Sequence, residues 1–205
     1  AKSLDRLVAF SVIGSMGMVM VAIALMTPDG IAAALYYIVH STLAGAALFL
    51  IVDLVKSSRP SLSLVAMSPA AGASLTAGLF FAAAIAMAGL PPLSGFVGKL
   101  MILDASFETP FGVWVWVIVL AASLISLIGF ARAGSIVFWK AESVPVVEGD
   151  EVFERPHALS YGAVGGLITL LAAYTVFGGQ AQSYMMSTSQ QLFAPDAYIE
   201  TVIGS

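Results

Sequence analysis

Apolar residues run through this chain in blocks of about 20, separated by short polar stretches, which is the length of helix that a bilayer core of roughly 30 Å requires. The first block covers residues 7–26 and closes on Thr27-Pro28-Asp29-Gly30, a turn signal. A second, 31–55, carries His40 near its middle and Asp53 near its far end. After a Ser/Pro-rich linker over 56–73, a third runs from 75 to 107 but is interrupted at 91–95, where Pro91, Pro92 and Gly95 stand. The fourth, 111–139, contains Arg132, and the fifth covers 158–177. An acidic loop, Lys140 to His157, separates these two, and a polar tail follows over 178–205. The pattern predicts an all-α fold: one transmembrane domain, a polytopic helix bundle of about five crossings, one of them discontinuous.

Loop charge decides whether 75–107 crosses once or twice. Positive residues favour the cytoplasmic side of short loops. With a single crossing, Lys2, Arg6, Lys56, Arg59, Lys140 and Arg155 all fall on one side. With two, Lys140 and Arg155 land opposite the rest. The single crossing is therefore predicted, in a cell inner (plasma) membrane, with the N-terminus cytoplasmic and the C-terminus outside. Unbroken, its 33 residues would make a helix of about 50 Å, too long for the bilayer core unless strongly tilted. Pro91, Pro92 and Gly95 resolve this by dividing it into two offset half-helices. The start, Ala1-Lys2-Ser3-Leu4, lacks Met and leads directly into an apolar run without a convincing cleavage site, so it reads as the middle of a longer protein.

Composition narrows the chemistry. Of 205 residues, 60% are hydrophobic and only 10% charged, far from the quarter expected of a soluble domain. Cysteine is absent, which removes disulfides, thiolate metal sites and a thiol nucleophile. His40 and His157 are too few and too distant to suggest a metal or haem site, so no metal and no cofactor is expected. No basic patch suggests nucleic acid. No nucleophile–base set marks a catalytic residue, so an enzyme acting on a small molecule is the least favoured class.

Lys99 is the strongest polar signal. A lysine at mid-membrane costs about 2.5–3.5 kcal/mol, and it stands four residues past Gly95, beside the break. Snorkelling to a head group is the bland alternative, but the position lies away from either end of the span. A buried amine can give up and regain a proton, and broken helices recur at ion sites. Asp104, five residues on, is off its helical face. His40 can exchange protons near neutrality or simply bond across helices, with Ser41 and Thr42 extending a path or bonding back to their own helix. Asp53, close to Lys56, is an interfacial residue or a further proton-path member. Arg132 is placed to snorkel, and Gly14, Gly17 and Gly45 read as close helix-packing positions.

The run Ala88-Gly89-Leu90-Pro91-Pro92-Leu93-Ser94-Gly95-Phe96-Val97-Gly98-Lys99-Leu100, with Tyr37-Ile38-Val39-His40-Ser41-Thr42 and Ala47-Leu48-Phe49-Leu50, resembles the antiporter-like subunits. These are shared by Mrp-type multisubunit cation/proton antiporters and the membrane arm of respiratory complex I. The ending, Phe193-Ala194-Pro195-Asp196-Ala197-Tyr198-Ile199-Glu200, is similar to the tail of the D-type Mrp subunits. The resemblance implies two inverted repeats with a broken helix in each, of which this chain would hold most of the second. It implies a proton path through Lys99 and His40, to which the residues themselves add Ser41 and Asp53 as candidates. It also implies partners: other subunits of an antiporter complex, the lipid bilayer, protons, and Na⁺ or K⁺. One departure is visible: many members carry a His-His pair followed by a lysine, where this chain has His40-Ser41 and Gly45. Rival readings are a proton-pumping subunit of complex I or a related hydrogenase, and a subunit that only braces its assembly.

Overall fold

The computed structural model describes residues 1–67, 72–144 and 157–194, together with Ile199, Val202 and Gly204. Among these residues seven α-helices follow in order: α1 Leu4–Ala24, α2 Pro28–Ser57, α3 Ala73–Ala88, α4 Ser94–Ser106, α5 Gly112–Gly134, α6 Ala158–Val176 and α7 Gly178–Phe193. A π-helical turn, Ser135–Trp139, and a 3-10 turn, Lys140–Ser143, prolong α5. No strand occurs among the described residues, whose one β feature is an isolated bridge between Ser3 and Ser63. Helix is what lipid demands, because only an internally bonded backbone satisfies its polar groups there. Among the described residues four helices (α1, α2, α5 with its π turn, and α6) are long and apolar enough to cross a membrane.

The core falls into two layers, and these show how α3 and α4 are arranged. In one layer, Phe80, Ala83 and Met87 of α3 pack with Ala44, Leu48, Ile51 and Val55 from the second half of α2. In the other, Ile102 and Leu103 of α4 pack with Ala33, Ala34 and Tyr37 from the first half of α2. The two short helices therefore lie end to end along α2 as one discontinuous crossing, the fifth of the bundle. The first layer also gathers Leu4 and Val8 from the start of α1, Phe130 and Ala133 from the end of α5, and Val137 from the π turn. Lys2, Arg6, Lys56, Arg59 and Lys140 flank those ends, so these five cations share one end of the bundle. Arg155 and most of the acidic loop lie outside the described residues.

Several local features differ from the sequence reading. Thr27-Pro28-Asp29-Gly30 opens α2 rather than merely closing α1. The Thr27 hydroxyl accepts the Gly30 N–H at 3.1 Å, and Pro28 takes the first helical position, where its missing N–H costs nothing. The linker after α2 is held in place: Leu4 N–H donates to the Leu62 carbonyl at 2.9 Å and Leu64 N–H to Lys2 at 3.0 Å. Buried Arg59 fastens the same loop to α5, donating to the Val65 carbonyl at 2.8 Å and to Val137, in the π turn, at 3.5 Å. The polar tail contains a helix, α7, which lies on the first turns of α2. Its Ser189 hydroxyl donates to the Pro28 carbonyl at 2.6 Å, and its Gly178 abuts the Tyr36 hydroxyl. Too polar to read as a span, α7 exists because α2 offers a face for it. Gly45 is the close-packing position expected, 3.2 Å from Val12 at an added Cβ, whereas Gly14 and Gly17 meet nothing within 4 Å.

Phe80 anchors the first layer, with ring centroids 5.6 Å from Phe81, 6.1 Å from Phe130 and 5.5 Å from Phe138. Phe80→Ala should destabilise the protein by about 3 kcal/mol through lost packing, read as a lowered thermal midpoint of the purified protein. An unchanged midpoint would refute this account of the core.

Candidate functional site

The crossing breaks at Gly89–Leu93, between the last residue of α3 and the first of α4. Gly89 adopts φ +75°, a left-handed conformation that favours glycine. Its N–H reaches the Ala86 carbonyl at 3.1 Å, and Leu90 N–H reaches Ile85 at 3.1 Å, so the turn satisfies two of the carbonyls that a helix end leaves open. The Met87 and Ala88 carbonyls are left over, and Lys99 reaches the second. Pro91 and Pro92 have no N–H with which to bond it.

Lys99 fills that vacancy. Its Nζ donates to the Ala88 carbonyl at 2.6 Å and to Ser123 Oγ, on α5, at 2.9 Å. The side chain is only 6% exposed, which rules out snorkelling to a surface. It passes directly over Gly89: a Cβ there would lie 2.6 Å from Lys99 Cδ and 2.8 Å from Nζ. The end of α3 carries partial negative charge, so the cation sits at the favourable helix pole. No carboxylate forms an ion pair with it among the described residues; its partners are neutral oxygens.

His40 is fully buried on the other side of the break. Its Nδ1 is hydrogen-bonded to Ser94 Oγ, at the start of α4, at 2.9 Å, while Nε2 is buried with no partner among the described residues. Gly95 lies inside the first turn of α4 rather than in the break itself, and its role is close approach. A Cβ on Gly95 would collide with the Ala86 carbonyl and stand 2.6 Å from His40 Nε2. Gly98 likewise admits Tyr37, which a Cβ would meet at 2.7 Å. Two glycines thus press α4 against α2 and bring Lys99 and His40 to the same break.

Ser41 is buried and forms a 2.6 Å hydrogen bond with Ser15 Oγ on α1. Thr42, by contrast, is exposed and bonds back to the Ile38 carbonyl. Asp53 does not join this cluster. It is exposed, 13 residues or about 20 Å of helix from His40. Asp104 is exposed and lines a cleft of about 520 Å³ with Trp116 and Gln182, and Arg132 is also exposed. Sequence reasoning missed Ser15, Ser94 and Ser123. Serines in apolar helices usually bond their own backbone, as Ser123 also does to Val119 at 2.7 Å, and nothing in their spacing marks them out.

These features define a class: a multi-pass membrane protein organised around a broken helix, with a lysine at the break and a histidine on the neighbouring helix. The chain belongs to the NADH:quinone oxidoreductase/Mrp antiporter transmembrane family, which it matches over residues 2–128. It is 29% identical to the D-type subunit of the Na⁺/H⁺ antiporter of Bacillus subtilis (strain 168) over 203 residues, covering 97% of this chain and 39% of that protein. It is 28% identical to the D-type subunit of a probable K⁺/H⁺ antiporter of Rhizobium meliloti (strain 1021), covering 100% of this chain and 42% of that protein. The fold matches a chain of the Mrp complex from Dietzia sp. DQ12-45-1b with a TM-score of 0.81 at 21% identity, over 96% of this chain and 44% of that one. The chain therefore spans about two fifths of the length of these relatives.

The glycine contacts are directly testable. Gly95→Ala should destabilise the purified protein by about 1–3 kcal/mol through overpacking against Ala86 and His40. Gly78→Ala, in the interior of α3 where nothing lies within 4 Å, should hold or raise the thermal midpoint, because alanine is the better helix former. Equal midpoints for both variants would show that the close approach at Gly95 is not tight.

Proposed function

We propose that this chain is part of a subunit of a multisubunit Na⁺ (or K⁺)/H⁺ antiporter and supplies a stretch of intramembrane proton path. The observation that carries the reading is Lys99. It is an amine buried at mid-span, held by one freed carbonyl and one hydroxyl, with an imidazole across the same break. Such an amine is free to exchange its proton, because no carboxylate ties it down among the described residues. His40, hydrogen-bonded to Ser94, and Ser41, hydrogen-bonded to Ser15, extend the polar line across α2. Protonation changes at Lys99 would then couple to cation movement elsewhere in the complex. The five cations at one end of the bundle support a cytoplasmic location for that end, in a cell inner membrane. Membership of a family that spans antiporters and quinone oxidoreductases supports one alternative, a proton-pumping subunit of respiratory complex I. The fuller coverage of this chain by D-type antiporter relatives, 97–100% against 83–93% for subunit N of NADH-quinone oxidoreductases at similar identity, supports the first reading.

Lys99→Ala in the full-length subunit should abolish antiport in inverted vesicles while the complex still assembles. Normal antiport by that variant would sink the assignment. If Lys99→Met instead lowered assembly and left transport per assembled complex intact, Lys99 would be a brace and not a proton carrier.

A further inference from the structure

A small void lies beside Lys99 where α1 to α5 meet. Its volume is about 30 Å³, and Ser11, Ser15, Tyr37, Lys99 and Ser126 are among its walls. A water needs about 10–15 Å³ of such space and two to four polar partners; the volume suffices, and the hydroxyls and amine on these walls are the candidate partners. We propose that this void is a water site, holding one or two ordered waters that bridge Lys99 Nζ to the Ser15–Ser41 hydroxyl pair.

Donor and acceptor bookkeeping carries the argument. A protonated Lys99 has three N–H groups, and protein oxygens take two of them, at Ala88 and Ser123. The third is left for a water in the void. Ser15 donates its proton to the Val12 carbonyl at 2.7 Å and lies 2.6 Å from Ser41 Oγ, which then acts as donor to it. A hydroxyl oxygen has two lone pairs, so Ser15 still has one with which to accept from a water. Ser11 is in the same position, donating to Val8 at 2.7 Å with its lone pairs free, and Ser126 has no hydrogen bond among the described residues. A water taking the third N–H of Lys99 therefore finds several acceptors for its own two protons. This gives Lys99 a connection to α1 that is separate from the His40–Ser94 side of the break.

The chemical step follows from the same atoms. One N–H bond of the Lys99 ammonium breaks and an O–H bond forms to the bridging water. The electron pair of the broken bond stays on nitrogen, leaving a neutral amine, and the charge passes to the water as hydronium. The Ser15 oxygen accepts a hydrogen bond from that hydronium, which makes Ser15 a positioning residue for the transfer.

The functional half of this inference rests on the proton-path reading, and the experiments separate the two. In a high-resolution density map of the assembled complex, a water peak should stand within hydrogen-bonding distance of both Lys99 Nζ and Ser15 Oγ. A void that is empty beside well-defined side chains would overturn the site. In vesicles carrying the full-length subunit, Ser15→Ala should lower antiport roughly two- to tenfold per assembled complex, the effect of losing one net hydrogen bond. Ser15→Thr should restore the rate, whereas Ser15→Val, of the same shape without the hydroxyl, should not. Wild-type rates for Ser15→Ala and Ser15→Val beside an inactive Lys99→Ala would overturn the bridge and leave the proton path standing. Normal antiport by Lys99→Ala would overturn the path and the bridge together.

Discussion

The hydrogen bond from Lys99 Nζ to the Ala88 carbonyl joins the two half-helices across their break, and the surrounding geometry is arranged to permit it. A carbonyl stripped of its helical partner costs several kcal/mol in hydrocarbon, and so does an amine without an acceptor. Each removes the penalty of the other. The left-handed turn at Gly89 takes up the Ile85 and Ala86 carbonyls and leaves Met87 and Ala88 open, of which Lys99 takes Ala88. The missing Cβ of Gly89 is the space through which the lysine side chain passes. Ser123 on α5 supplies the second oxygen, so the lysine also fastens α4 to the helix that follows it.

Helix α2 is the template against which this happens. It is continuous where its neighbour is broken, and each half-helix packs on a different half of it. The break is thereby set opposite the middle of α2, where His40 stands. Gly95 and Gly98 set the distance. Without side chains, they let the first turns of α4 approach to the point where Ser94 bonds the His40 ring and the Tyr37 ring rests on the backbone. At the basic end, the bridge between Ser3 and Ser63 and the buried Arg59 hold the chain between α2 and α3 against α1 and α5.

Much of this was legible in the sequence because lipid imposes simple rules. Apolar block length gave the helices, two prolines gave the interruption, and a charge with no water to face marked Lys99. The limits of legibility were equally physical. The break is centred on Gly89–Leu93 because the left-handed residue that ends α3 precedes the prolines; a Gly-x-Pro run does not reveal which residue turns. Local pattern assigns Gly95 to the interruption, whereas its importance lies in a contact with His40 that no local pattern encodes. Ser94, Ser15 and Ser123 were invisible because a hydroxyl in an apolar helix looks the same whether it bonds its own carbonyl or another helix. Asp53 draws notice as a charge near a span, but its exposed face takes it away from the cluster. Helix α7 is illegible in the sequence because its stability comes from α2 and not from its own apolar content.

The absence of a counter-ion at Lys99, among the described residues, makes the site electrically loud. An amine paired with a carboxylate would form a dipole whose field decays steeply with distance. One held by a carbonyl and a hydroxyl presents, while protonated, a full and uncompensated unit charge. Within the bilayer no dissolved salt lies between that charge and its neighbours to screen it. Two unit charges about 10 Å apart at an effective dielectric of about 20 interact by about 1.7 kcal/mol, a little more than a tenfold change in an equilibrium. A protonated Lys99 would thus be felt as voltage by any ionisable group across the next helix, without a moving part to carry the message.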